Sequence, residues 1–225
     1  MRYAIYFCPP ADTALGQLGH DWLAASACTP ELPGISTERR SALLIKVRRY
    51  GWHATIRAPF TPLTDVAYDD VRRAVVSVAR ACAPWELRLH IHRLAGFLAL
   101  RPDVDDEAPR QLAAACLKAL MPLCAPLSNE VLQRRSAGLD ADEINLLRNY
   151  GYPYVMERYR FHLTLSAPAT ESDENIMRQW LTPRVAELPS TRVDALSICR
   201  EVTPGGAFEW VERIPFHTAG REHTA

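Results

Sequence analysis

Two short segments carry the same arrangement of residues able to move protons and hold an anion: His53-Ala54-Thr55-Ile56 and His162-Leu163-Thr164-Leu165. An imidazole of ordinary pKa is populated in both protonation states near neutrality, and a hydroxyl can donate to an oxyanion. On a strand, alternate side chains share a face, so His53 and Thr55 point one way while Trp52, Ala54 and Ile56 point the other. His162 and Thr164 stand in the same relation to Phe161, Leu163 and Leu165. Each segment then reads as an apolar anchor presenting a histidine and a hydroxyl to a cleft. With seven histidines and thirteen threonines in the chain, roughly 0.4 His-x-Thr matches are expected by chance, and apolar alternation in both copies makes the pair rarer still. The plainer alternative is two histidines satisfied by ordinary hydrogen bonds on half-buried strands.

Phosphodiester hydrolysis needs a base to deprotonate water, an acid for the departing oxygen and donors for the nonbridging oxygens. His53 and His162 fit the acid/base pair, and Thr55 and Thr164 fit the donors; the sequence leaves open which histidine is the base. A cyclic phosphate keeps its leaving oxygen tethered, which suits two imidazoles on either side of phosphorus, and neither a metal nor a cofactor is required. Alternation puts Arg57 on the His53 face and Arg160 on the His162 face. Each either contacts a second phosphate or is a solvated arginine at a strand end. Tyr6 is a candidate to stack on a sugar or base, with core packing the alternative.

The elements that must position these groups are short and interleaved. Strand-like segments run over Arg2 to Phe7, Trp52 to Arg57, Trp85 to His92, Gly96 to Leu100, Arg160 to Ser166, Arg192 to Arg200 and Ala207 to Arg213. Helical patterns cover Ala14 to Ala27, Val66 to Ala83, Ala108 to Leu120, Ala141 to Asn149 and Glu171 to Leu188, with Asp65, Asp140 and Thr170 as N-caps. The motif copies lie about half a chain apart, which places a lobe division near 121–129 of a single bilobal domain over 1–225, with terminal strands free to swap between lobes. The tail Thr218 to Ala225 reads as disordered.

Composition narrows the partners. An apolar share of 48% readily fills a core, and 26 basic residues balance 26 acidic ones, so a small charged substrate fits better than extended nucleic acid. The first residues lack a signal-peptide core and no 18-residue apolar run occurs, so no membrane association and a cytoplasmic location are expected. Six scattered cysteines form no C-x-x-C pair and read as reduced thiols. His90 and His92 share a strand face at a spacing some metal sites use, but an amphipathic surface strand is the plainer reading. Asp103, Asp105, Asp106 and Glu107 lack the glycine of a calcium loop and read as a turn entering a helix. Gly205-Gly206 marks a hairpin turn.

The paired motifs resemble the 2H phosphoesterase superfamily. Tyr3-Ala4-Ile5-Tyr6-Phe7 with Pro9-Pro10, the run Tyr50 to Phe60, and Gly151-Tyr152-Pro153-Tyr154-Val155 before Arg160-Phe161-His162 are similar to its DUF1045-like branch, linked to phosphonate metabolism. The resemblance runs from Met1 to about Ser166, and Arg57 stands where lysine is as common. It implies an α+β fold of two pseudo-symmetric lobes, each a small antiparallel sheet with helices, around a cleft. It also implies a metal-independent cyclic phosphodiesterase without cofactor, acting on a ribose cyclic phosphate in phosphonate breakdown, with Tyr152 and Tyr154 lining the cleft. An RNA-end 2',3'-cyclic or 2',5' phosphodiesterase or ligase, and a non-catalytic phosphate- or phosphonate-binding protein, are the competing readings. The oligomeric state and the role of the segment after Ser190 are not set by the sequence.

Overall fold

The computed structural model describes residues 1–24, 31–103 and 107–217. Along them run β1 (Arg2–Phe7), α1 (Ala14–Leu23), α2 (Thr37–Tyr50), β2 (Ala54–Phe60), α3 (Tyr68–Arg80), β3 (Trp85–Leu87), β4 (His90–Leu94), β5 (Phe97–Arg101) and α4 (Glu107–Leu120). The chain continues through α5 (Asn129–Ser136), α6 (Ala141–Tyr150), β6 (Leu163–Thr164), α7 (Glu171–Ala186), β7 (Thr191–Val193), β8 (Ala195–Glu201) and β9 (Glu209–Pro215). Seven strands make an antiparallel sheet in the order β4-β5-β6-β2-β1-β8-β9, and β3 pairs with β7 apart from it. The fold is therefore α+β, with antiparallel sheets and helices, as expected.

The motif strands β2 and β6 are central neighbours, joined through the pair Ala54↔Leu163. On either side of that seam the half-sheets β4-β5-β6 and β2-β1-β8-β9 each take strands from before and after the 121–129 stretch. One face of the sheet is apolar because the alternate residues are: Ile5, Phe7, Ala54, Ile56, Leu163, Leu196 and Ile198 are buried in one cluster with Leu43 and Leu44 of α2, Val75 of α3, Leu112 and Cys116 of α4, and Met177 and Leu181 of α7. Full burial of each large aliphatic contributes about 1.5–3 kcal/mol before chain entropy is charged against it.

Several elements depart from the sequence pattern for identifiable reasons. The expected strand Trp85 to His92 is two strands in different sheets. The expected strand Arg192 to Arg200 breaks at Asp194, whose carbonyl accepts from Phe216 N–H at 2.7 Å and whose carboxylate takes Arg213 at 2.6 Å. The second motif strand shrinks to two residues because Leu165 and Ser166 both donate to Leu98 O and Ala167 donates to Leu43 O. Asp140 and Thr170 cap α6 and α7 as expected, whereas the N-cap of α3 is Ala67, whose N–H is held by the Asp70 carboxylate at 2.8 Å, so Asp65 is not a cap. Helices α2 and α5 had no clear apolar period: α2 buries Leu43, Leu44 and Val47 along an otherwise charged helix, and α5 buries no residue fully. Helix α1 ends at Leu23, short of the expected Ala27, because Ala24 at its C-cap leaves the helical conformation with ψ 137°; residues 25–27, Asp105, Asp106 and the tail from Thr218 lie outside the described residues.

Glu201 closes the sheet against α2. It is 1% exposed, takes a bidentate pair from Arg2 at 2.5 and 2.9 Å and a bond from Arg49 at 2.7 Å, and also accepts from Gly205 N–H. The Arg2 hydrogen bond is the main cause holding its carboxyl at about 2, below the ordinary 4.5. A depressed carboxyl contributes stability that is complete above the unfolded value and lost as pH falls toward the folded one. Glu201→Gln should therefore cost about 2–4 kcal/mol near neutrality, leaving two half-buried arginines without their charge partner. In thermal melts the gap to wild type should narrow from pH 4.5 to 2.

Candidate active site

Residue 51 sets the entry to the first motif. Gly51 ends α2 with φ 74° and ψ −178°, a conformation open essentially to glycine alone, and turns the chain into β2. Its carbonyl then lies 2.9 Å from His53 Nδ1. The second motif repeats the device, with His162 Nδ1 2.8 Å from Arg160 O. A carbonyl only accepts, so each Nδ1 carries the proton and each Nε2 presents a lone pair. Thr55 Oγ1 sits 3.3 Å from His53 Nε2 and donates to it.

Helix α1 ties both motifs to one support. Trp52 Nε1 donates to Leu15 O at 3.0 Å, its ring lying so close over Gly19 that any Cβ there would fall 2.2 Å from the indole. At the far end of the helix, Trp22 Nε1 donates to Leu165 O at 2.8 Å. The residues beside His53 and just after Thr164 are thus fixed to one ten-residue helix.

In an antiparallel ladder, opposed residues share a face. Ala54 faces Leu163, so one step out on either side His53 lies opposite Thr164 and Thr55 opposite His162, all four on the face away from the core. Opposed Cβ atoms in such a ladder are about 4.5–5.5 Å apart and diagonal ones about 7–8 Å, so the four side chains form one cluster. The same rows extend outward: Tyr6 opposes Thr55 on one side, and Ala99 opposes Thr164 on the other. One step beyond Leu100↔Leu163, Arg101 comes beside His162.

A cavity of about 370 Å³ opens on this face, with Thr55, Arg57, His162, Arg160, Tyr152 and Tyr154 among its walls. His53 and Thr164 border the same rows but do not line it. His53 is packed between Tyr6, stacked at 3.9 Å, and Tyr50, at 6.3 Å. Burial is the main cause lowering its pKa to about 4, with the His162 charge adding to it and the Gly51 bond opposing it. His162 lies 5.8 Å from the Phe97 ring. Its pKa is likewise lowered, by burial first and also by Arg101, against the Arg160 carbonyl.

The other residues singled out from sequence fall in different places. Arg57 is no solvated strand end: it is 4% exposed, donates to Ala58 O and Tyr150 O, and lies over Phe60. Arg160 bonds the Glu157 and Tyr159 carbonyls at 2.7 Å each while lining the cavity. Tyr152, its hydroxyl pushed up to about 12 mainly by burial, meets Tyr154 edge-on at 5.6 Å in the cavity wall. Tyr6, 1% exposed behind His53, is a support for the imidazole and not a stacking platform for substrate. His90 and His92 both reach Asp103 at 3.2 Å, and among the described residues no group of three or more His, Cys, Asp or Glu is arranged to hold a metal ion. Arg101, Phe97 and Tyr50 escaped the sequence reading because strand pairing and ring packing, not spacing, bring them here.

Fold and site together define an antiparallel α+β protein whose central strands carry paired His-x-Thr motifs. The chain belongs to the family described as "Protein of unknown function (DUF1045)", whose model matches residues 55–209. It is 36% identical over 237 aligned positions to a protein of Janthinobacterium sp. (strain Marseille) named "Ribose 1,5-bisphosphate phosphokinase PhnN", covering 97% of this chain and 51% of that one. A protein of the same name from Laribacter hongkongensis (strain HLHK9) is 36% identical over 226 positions, covering 98% and 53%. The chain thus spans about half the length of these curated relatives. Among solved structures it overlaps TT0787 of Thermus thermophilus with TM-score 0.47 and E. coli LigT complexed with 3'-AMP with TM-score 0.46. Each is 15% identical, covering 96% of this chain and 98% of the other. Among the described residues no helix is long and apolar enough to cross a membrane.

The paired carbonyl contacts predict the state of the resting imidazoles. Long-range ¹H–¹⁵N spectra at pH 7 should show His53 and His162 neutral with the proton on Nδ1, and His53 should titrate near 4. Because its folded pKa lies below the unfolded 6.5, His53 favours folding above 6.5 and loses that contribution as pH falls toward 4. An imidazole already cationic at pH 7 without ligand would contradict this arrangement.

Proposed function

We propose that this chain is a metal-independent phosphoesterase that hydrolyses a small cyclic phosphodiester, a ribose cyclic phosphate in phosphonate breakdown, with His53 and His162 as its general acid/base pair. The observation that supports it most is the pair of carbonyl-held imidazoles, each offering Nε2 on the face shared with Thr55 and Thr164. Both are neutral at rest, so a bound phosphate, whose charge favours protonation, makes one imidazole the acid and leaves the other as base. The neutral one takes the proton of water as its oxygen bonds to phosphorus. The cationic one protonates the ring oxygen as its bond to phosphorus breaks. Thr55 and Thr164 donate to the nonbridging oxygens, and Arg57 adds positive charge two residues along the strand from Thr55.

A ribose phosphate is favoured because the half-length match is to proteins named for a ribose bisphosphate. The aromatic wall of Phe97, Tyr152 and Tyr154 favours a second reading, a 2',3'-cyclic nucleotide whose base stacks there. Turnover of ribose 1,2-cyclic phosphate and of 2',3'-cyclic nucleotides, with excess chelator, tests both. Wild type is expected to be active, and His53→Ala and His162→Ala each to lose about 10²–10⁴-fold in kcat. The preferred ester decides between the substrates. Activity abolished by chelator, or untouched in both variants, would overturn the mechanism. Tight binding with no turnover of any ester would make the chain a phosphate-binding protein.

A further inference from the structure

A second cavity, of about 360 Å³, adjoins the first and shares Arg57 with it. Its walls include Arg2, Arg57, Arg135 and Arg148 and, among the described residues, no carboxylate. In a chain of formal charge zero, four guanidinium groups around one hollow are a local excess, and a concave site with one sign of charge draws the opposite charge. Arg2 is already matched by Glu201. Arg57, Arg135 and Arg148 have no carboxylate partner among the described residues. Arg135 spends one N–H on Gly151 O at 3.4 Å, and the charges of Arg2 and Arg134 bear on it in addition to its burial. Arg57 contacts only the carbonyls of Ala58 and Tyr150, the Cys124 sulfur and the Phe60 ring, and its buried Nε has no partner. A guanidinium has five N–H donors, so both retain donors for a ligand.

We infer that this arginine-lined hollow is a subsite for a second phosphate, carried by the substrate away from the reacting phosphorus. The inference rests on the proposed phosphoesterase reading and narrows it to a doubly phosphorylated ester. Thr55 and Arg57 are two residues apart, at most about 6–7 Å along an extended strand and less across the register shift that separates them in the β1–β2 ladder, so a reacting phosphate at Thr55 and a distal one held by Arg57 and Arg135 lie within the span of one pentose. Arg57 serves both cavities and is the hinge between the two charges. Guanidinium forks suit a terminal phosphate, which offers three equivalent oxygens for paired N–H donors.

The test compares ribose 1,2-cyclic phosphate with the same ester bearing a 5-phosphate, on wild type, Arg135→Ala and Arg148→Ala, alongside calorimetric binding of ribose 5-phosphate. Wild type should prefer the 5-phosphorylated ester by tenfold or more in kcat/KM, and that preference should shrink by about tenfold in Arg135→Ala and more modestly in Arg148→Ala, which sits at the exposed rim. Circular dichroism checks that the variants fold, and Arg135→Gln, which keeps the length of the side chain, replaces Arg135→Ala if that variant does not. A preference absent in wild type, or unchanged in all variants, overturns the subsite while leaving the phosphoesterase reading intact. If neither ester is turned over, that reading fails and the subsite is judged by binding alone: ribose 5-phosphate bound tenfold more weakly by the Arg135 variant upholds it, and equal binding overturns it.

Discussion

The pairing of Ala54 with Leu163 is the constraint on which the rest depends. The two motifs are far apart in sequence, and nothing local brings one to the other. Once these two apolar positions oppose each other in an antiparallel ladder, four polar side chains are committed to one face and the core residues to the opposite one. A slip of one residue would turn His162 and Thr164 into the core and Leu163 into the cleft. Such a short seam needs outside help, and the molecule supplies it through α1, where Trp52 and Trp22 bind each motif strand to the same helix, and through the bond from Ala167 N–H to Leu43 O of α2.

The same economy governs the protonation states. A histidine on a strand is free to present either nitrogen, and phosphate chemistry requires a defined one. A backbone carbonyl two residues earlier settles the matter for both rings, and at the first motif the chain bends to bring it there. That bend is made by Gly51 in a backbone region other residues avoid. Tyr6 then closes one face of His53, so the ring is oriented by a hydrogen bond at its edge and by stacking on its plane.

Much of the fold was legible in the sequence because its strands alternate or run apolar between turn residues and because Asp140 and Thr170 announce their helices. The four motif side chains were legible for the same reason: period two is a local property. What escaped was non-local. No spacing rule shows that Leu98 draws away the N–H groups of Leu165 and Ser166 and ends β6 early, or that Asp194 breaks one apolar run into two strands. Helix α2 hid its purpose among charges, since Arg49 and Arg48 serve as tethers to Glu201, Leu23 and Ala24 and not as a solvated face. Tyr6 read as a candidate for substrate and proved to be a wall, because burial depends on what the neighbouring strand brings.

Whether His53, Thr55, His162 and Thr164 act on a single phosphate, as proposed, is tested by soaking crystals with orthovanadate, because vanadate takes the five-coordinate geometry of a phosphorus under in-line attack. Vanadium is expected between the two imidazoles, with each Nε2 at an apical oxygen and both threonine hydroxyls on equatorial ones. Vanadate held elsewhere with the four side chains untouched, or bound by one motif with the other turned away, would contradict the proposal.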